Sequence, residues 1–290
     1  MNPMARALEL GKSALGTTSP NPAVGAVIVK DGSIVGEGYT QPPGGDHAEI
    51  VAIRQAAALA QGADLYVTLE PCAHQGRTPP CVDAINRAGI TRVFIGTVDP
   101  APHTDGKGID TLMRLGIHAS LDSDPSEFKK LIEAFAKHAR TGIPFVTAKF
   151  AMSLDGKIAT SVGDSRWISN ASSRLIVHHM RAQSDAVMVG IGTVLADDPQ
   201  LTVRDIERTS ARQPIRVIAD SMGRLPPNAR LLREPGATIL ATGSIEPALG
   251  TVSADRVEIV RLPNGAGRVD LHALLEELGN RGVTSVLVEG

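Results

Sequence analysis

Cysteine is close to absent: the 290-residue chain has two. Two thiols cannot form the dense disulfide framework of a small secreted fold, so that class is excluded. Aromatic residues make up 3% of the sequence, with a single Trp, and Lys plus Arg (29) do not exceed Asp plus Glu (31). A formal charge of −2 with few rings offers neither the basic footprint nor the stacking platform of a nucleic-acid binder. Long apolar runs are also missing. None approaches the roughly 18 residues that span a bilayer, and Arg6, Glu9 and Lys12 interrupt any apolar signal core at the N-terminus. The expectation is a cytoplasmic protein that handles a small molecule and has neither nucleic acid nor membrane as a partner.

What is present is ordinary globular composition, 42% hydrophobic and 21% charged. The length suits two domains of about 145 residues each. A helix-compatible stretch over residues 2–15 gives way to Thr17-Thr18-Ser19-Pro20-Asn21-Pro22, a loop. Val24–Val29 and Ile34–Tyr39 flank the turn signal Lys30-Asp31-Gly32 and predict a hairpin. Helices are expected over residues 48–60, 81–88, 109–115 and 125–140, the last carrying Phe128, Leu131, Ile132 and Phe135 at helical spacing and closing at Gly142. Buried strands are expected over 65–69 and 93–98, and an edge strand over 117–121. Strands alternating with helices predict an α/β layered sheet, with a first domain of residues 1–143. From residue 144 onward the pattern repeats the class: a strand at 145–151, helices at 172–183 and 270–281, and apolar runs at 186–189, 215–219, 239–241, 257–260 and 285–288.

The chemistry concentrates in His47-Ala48-Glu49, answered downstream by Cys72 and Cys81. Catalytic zinc takes three protein ligands and keeps a fourth position for water; His47, Cys72 and Cys81 make that count, one ion per chain. Glu49 is then free to move protons between the activated water and a leaving amine, the division of labour in zinc deaminases. Taken singly, His47 reads as a helix cap and each cysteine as a small buried residue. Together, with prolines beside both cysteines, they read as a site. Eight residues separate the cysteines, so Ala73–Pro80 must loop out beside the metal, carrying His74, Arg77 and Thr78 as donors for an anionic or hydroxylated substrate group.

Pro20-Asn21-Pro22, His47-Ala48-Glu49 and the run Thr68-Leu69-Glu70-Pro71-Cys72-Ala73-His74-Gln75-Gly76-Arg77-Thr78-Pro79-Pro80-Cys81 resemble the deaminase domain of the bifunctional riboflavin biosynthesis deaminase-reductases, the RibD family. The resemblance implies a cytidine-deaminase-like three-layer domain that hydrolytically deaminates 2,5-diamino-6-ribosylamino-4(3H)-pyrimidinone 5′-phosphate. It places Asn21, His74, Arg77 and Asp99 at the base or ribose phosphate. Two positions depart from the family pattern: Thr40 stands where a histidine is usual, and the Asp-Pro-Asn-Pro loop reads Asp99-Pro100-Ala101-Pro102.

Lys149–Gly156, Ser165-Arg166-Trp167-Ile168 and Val189–Arg204 resemble the reductase half of the same family. That half is similar in fold to dihydrofolate reductase and uses NADPH, which implies reduction of the ribosyl chain to ribityl. The resemblance puts NADPH near Ala151, Trp167, Thr193, Asp197 and Ser221. It puts the substrate phosphate and sugar chain near Lys149, Ser165, Arg181, Leu201, Arg204 and Glu289. Physical reasoning agrees in part, since Gly190 and Gly192 permit close backbone approach and Arg181 and Arg204 are forks for phosphate. Asp197-Asp198-Pro199 also fits a helix-ending turn, and Trp167 a core anchor. The chain stops at Val288-Glu289-Gly290, where the family continues through further glycines and strands. The expectation is therefore a reductase domain over 144–290 without its last strands, an exposed sheet edge, and scope for homo-oligomers.

Two other readings follow from the same residues. One is a deaminase of another nucleobase or nucleoside, which Thr40 and Ala101 invite. The other is a non-catalytic module whose zinc is structural, with His74 as the fourth ligand.

Overall fold

The computed structural model describes residues 2–75, 79–102, 104–165, 167–207, 212–245, 247 and 257–290. It divides into two compact units, Met1–Gly142 and Ile143–Gly290.

The first unit opens with helix α1 (Pro3–Ala14), set by Pro3 in its first turn and by the Asn2 side chain, which accepts from the backbone N–H groups of Met4 (2.9 Å) and Ala5 (3.3 Å). Strands β1 (Gly25–Lys30) and β2 (Ser33–Tyr39) form the expected hairpin. Its tip is tight because Asp31 and Gly32 both take positive φ, 49° and 78°. Then follow α2 (Ala48–Ala56), β3 (Asp64–Val67), α3 (Cys81–Arg87), β4 (Arg92–Ile95), α4 (Lys107–Arg114), β5 (His118–Leu121), α5 (Ser126–Leu131) and α6 (Glu133–Thr141). The sheet order is β2-β1-β3-β4-β5, with β1 antiparallel to both its neighbours and β3, β4 and β5 parallel.

Alternation along the strands feeds two cores. Ala26, Ile28, Leu65, Val67, Val93 and Ile95 pack against Ala48, Ala52, Val82 and Ile85 of α2 and α3. On the opposite face Val27 packs with Met4, Ala7, Leu10 and Phe128. Three layers result, as the resemblance implied.

Two helices differ from expectation. The one over 48–60 is α-helical only to Ala56; Ala57 takes φ 49° and a 3₁₀ turn, Ala57–Ala60, finishes it. The one over 125–140 breaks at Ile132 (φ −106°, ψ 14°). Phe128 before the break belongs to the core beside α1, and Leu131 and Ile132 to the core beside α2, a division that one straight apolar stripe does not provide.

The second unit contains β6 (Phe145–Lys149), α7 (Ala171–Gln183), β7 (Ala186–Gly190), α8 (Ile191–Asp197), β8 (Ile215–Asp220), β9 (Thr238–Thr242), β10 (Val257–Arg261), α9 (Leu271–Asn280) and β11 (Ser285–Glu289). All are paired in parallel in the order β10-β9-β8-β7-β11-β6, leaving β10 and β6 at the edges. The central strands are apolar on both faces, as parallel strands are: Val187, Val189, Ile218 and Leu240 serve one core, Ala186, Met188, Val217 and Ile239 the other. Among the described residues no helix is long and apolar enough to cross a membrane.

Candidate active sites

In the first unit the reactive groups gather beyond the C-terminal ends of β3 and β4, where ligands of open α/β sheets collect. Their placement begins with glycine. A Cβ on Gly36 would lie 2.3 Å from the Ala52 carbonyl oxygen, and one on Gly38 2.3 Å from that of Ala48. Helix α2 therefore rests directly on the backbone of β2, which fixes its first residues. His47 stands at the N-cap position of α2 but makes no side-chain capping bond, so its ring is free for other work.

That ring meets the two thiols. His47 Nδ1 lies 3.2 Å from Cys81 Sγ and 3.7 Å from Cys72 Sγ, and the donor atoms of all three residues lie within 4.8 Å of one another. A tetrahedral zinc with bonds of about 2.0 Å to nitrogen and about 2.3 Å to sulfur separates such donors by about 3.5 Å. The observed separations bracket that figure, so the donor set fits zinc in number, type and spacing. His74 is not in this group; it is exposed and lines the adjacent cavity.

The electrostatics of the site follow from burial and mutual contact. Cys81 opens α3, and its backbone N–H points at Cys72 Sγ at 3.3 Å, a helix-start amide directed at a thiolate. The Cys81 thiol, with His47 assisting, holds Cys72 down at about 4. Cys72 in turn pushes His47 up to about 9. Cys81 is raised by Cys72 and by burial. Glu49, in the first turn of α2, is 4% exposed; desolvation pushes its carboxyl up, with the negative charge at Cys72 adding to the shift and His47 opposing it.

A cavity of about 430 Å³ opens on this cluster. Asn21, His47, Glu49, Cys72, His74 and Asp99 line it, so every described residue expected in this site other than Cys81 reaches the cavity, and Cys81 lies buried behind it. Arg77 lies outside the described residues. Phe135 and Ala139 of α6 also line the cavity, as do Thr40 and Ala101. Sequence alone does not mark the α6 pair for the cavity, because helical spacing reads Phe135 only as core and nothing local ties it to residues far earlier in the chain. Thr40 spends its hydroxyl on the backbone N–H of Val24 at 3.2 Å.

In the second unit a cavity of about 650 Å³ is lined by Lys149, Ala151, Ser165, Trp167, Arg181, Thr193, Asp197, Leu201, Arg204 and Glu289. Ten of the eleven residues expected near NADPH or the sugar chain thus share one wall system. Ser221 is the exception; it does not line the cavity, and its hydroxyl accepts from the backbone N–H of Val269 at 3.0 Å. Trp167 is no core anchor: it is 74% exposed, with the Arg174 guanidinium carbon 4.3 Å from its ring centroid. Asp198 ends α8 with φ 41° while Asp197 faces the cavity, so the Asp-Asp pair is both turn and wall. Arg181 commits its fork to Glu289, with bonds of 2.6 and 2.9 Å, and donates to the Thr202 carbonyl at 3.0 Å. Arg204 is less engaged, 3.6 Å from Asp205 and half exposed. A Cβ on Gly192 would meet no protein atom within 4 Å, which leaves the cavity wall open for a cofactor to approach the backbone. Cavity size, this opening and the cationic groups fit a phosphorylated dinucleotide.

The model of the cytidine and deoxycytidylate deaminase zinc-binding region matches residues 2–97, and that of the RibD C-terminal domain matches residues 144–290. The chain is 44% identical to the riboflavin biosynthesis protein RibD of Escherichia coli K12, over 99% of this chain and 80% of that protein. It is 42% identical to RibD of Aquifex aeolicus, over 100% of this chain and 80% of the other. The chain belongs to the RibD family. Its structure is similar to that of the Thermotoga maritima diaminohydroxyphosphoribosylaminopyrimidine deaminase/5-amino-6-(5-phosphoribosylamino)uracil reductase, with a TM-score of 0.89 at 43% identity, covering 99% of this chain and 80% of that one. It is also similar to Acinetobacter baumannii RibD, with a TM-score of 0.86 at 41% identity, covering 99% and 79%. A RibD chain is a multifunctional enzyme of riboflavin biosynthesis: a zinc-dependent deaminase domain joined to an NADPH-dependent reductase domain.

Proposed function

We propose that residues 1–143 hydrolytically deaminate 2,5-diamino-6-ribosylamino-4(3H)-pyrimidinone 5′-phosphate and that residues 144–290 reduce the ribosyl chain of the product to ribityl. The observation that carries the first step is a buried carboxylate, Glu49, beside a three-donor metal group on the wall of a cavity that also presents Asn21, His74 and Asp99. His47, Cys72 and Cys81 would hold zinc, which would supply the Lewis acidity that makes water nucleophilic near neutral pH. Glu49 takes a proton from the attacking water and delivers it to the ring amine; a C–O bond forms, the C–N bond breaks, and ammonia leaves. Burial raises the Glu49 carboxyl, which strengthens it as a proton acceptor.

Asn21, Asp99 and His74 orient the base and ribose, and Arg77 is assigned to the phosphate. In the second unit bound NADPH would supply the hydride that reduces the ribosyl chain. Ala151, Trp167, Thr193 and Asp197 face the cofactor, and Ser221 supports that end of the sheet. Lys149, Ser165, Leu201 and Arg204 hold the sugar phosphate, with Arg181 and Glu289 as a paired wall beside it.

The deciding test is turnover of the diaminopyrimidine phosphate, cytidine and guanine side by side. Ammonia release from the first alone is the expected result; preference for either other compound would establish the broader-deaminase reading that Thr40 and Ala101 invite. The structural-zinc reading loses its proposed fourth ligand, because His74 stands apart from the donor group.

A further inference from the structure

Glu70 lies two residues before the metal ligand Cys72, is 3% exposed and lines the same cavity, yet it is not one of the three clustered donors. Its carboxylate accepts from four backbone amides. Oε2 accepts from the backbone N–H groups of Asp99 (3.1 Å) and Gly106 (3.0 Å); Oε1 accepts from those of Gly108 (2.7 Å) and Ile109 (3.2 Å). Two donors on each oxygen fit an ionised carboxylate, which has acceptor sites for all of them and no proton of its own to place.

These donors lie on the loop that leaves β4 and on the first turn of α4, segments about 30 to 40 residues further along the chain. One of them is the amide of Asp99, whose side chain lines the cavity and accepts from the Ala101 N–H at 2.9 Å. The fit is close on the other side as well. A Cβ on Gly108 would lie 2.0 Å from the Pro71 carbonyl oxygen and 3.0 Å from Glu70 Oε1, so only glycine lets α4 seat against the Glu70-Pro71 backbone. Strand ends are tied at the same level, with the Glu70 N–H donating to the Thr97 carbonyl at 2.9 Å.

We propose that Glu70 is a positioning residue that holds the Asp99 loop and the start of α4 in register with the Cys72 turn, and so sets substrate affinity while leaving the chemical step to Glu49 and the metal group. This rests on the reading of Asp99 as a substrate contact. Glutamine at 70 is nearly the same size but turns an NH₂ toward two backbone N–H groups, setting donor against donor; Gly108→Ala displaces the same seat by steric contact without altering charge.

The experiment measures zinc per chain, KM and kcat for wild type, Glu70→Gln and Gly108→Ala. Expected in both variants are one zinc per chain, a KM raised at least about ten-fold, and kcat within about three-fold of wild type. A merely structural role lowers the amount of folded, zinc-loaded enzyme at unchanged KM, and that result would overturn the proposal, as would a kcat that falls as far as kcat/KM. Wild type that deaminates cytidine and not the phosphate overturns the substrate reading instead, and the split between KM and kcat is then read on cytidine.

Discussion

In the first cavity the reactive groups arrive on helix starts and are buried before any ligand comes. Glu49 sits in the first turn of α2, Cys81 opens α3, and both are under a tenth exposed. In the second cavity much of the wall is loop and faces solvent: Ile158 is 55% exposed and Trp167 74%, and the deepest charge, Glu289, is already paired with Arg181. A site built for proton transfer needs its groups fixed and dry, since their strength depends on low dielectric. A site built for two large ligands can leave apolar surface for those ligands to cover. The first unit spends its rigidity on chemistry, and the second leaves the completion of its walls to binding.

The sharpest way to break this contrast is to remove a metal donor. Cys72→Ser should abolish zinc retention and reduce ammonia release to background, while NADPH affinity of the second unit, read by fluorescence titration, stays at the wild-type value. Loss of both would show that the two sites are not independently built. Next in size, Glu49→Gln should keep zinc and lower deaminase kcat by about 10²- to 10⁴-fold, the usual worth of a positioned acid–base group; full activity in a zinc-loaded Glu49→Gln enzyme would remove Glu49 from the mechanism.

In the second cavity the two arginines should separate. Arg181→Met removes the two short bonds to the buried Glu289 carboxylate and leaves it only Lys149 at 3.9 Å, and should cost about 3 kcal/mol of stability in denaturant unfolding. Arg204→Gln should leave stability unchanged and raise the KM of the reductase step several-fold for phosphorylated over dephosphorylated substrate. Equal behaviour of the two would mean that Arg181 releases Glu289 to take phosphate.

The smallest effect concerns the scaffold of the first site. Arg6 bonds Glu37 at 2.7 and 3.1 Å, joining α1 to β2, and holds the Glu37 carboxyl below its ordinary value of 4.5. A lowered folded-state value stabilises above the unfolded value and is lost as pH falls through the folded one. The thermal midpoint of wild type should therefore exceed that of Glu37→Gln slightly at pH 7, and the gap should close on acidification below about 4.5. A gap that widens there would reverse the assignment.

The metal donors, Glu49 and the strand-helix alternation were legible in the sequence because each depends on residue type and short spacing. Contacts that depend on the closed fold were not. The Arg181–Glu289 pair spans 108 positions, and Arg181 alone reads as a phosphate fork. The cavity role of Phe135 needs the break at Ile132, which has no proline or glycine to announce it. Glu70 is visible as one letter of a motif, but two of its amide partners lie in the loop after β4 and two in the first turn of α4, and no short spacing ties them to it.

The seating of α2 on Gly36 and Gly38 has a consequence for how this enzyme can vary. Because the Ala48 and Ala52 carbonyls meet strand backbone without intervening side chains, the distance from sheet to imidazole is set by backbone-to-backbone van der Waals contact and not by the volume of core residues. Ordinary drift among valine, isoleucine and leucine elsewhere in that core can proceed without moving His47 or Glu49. The two glycines, far plainer than the ligands they serve, are the positions at which such drift has no latitude.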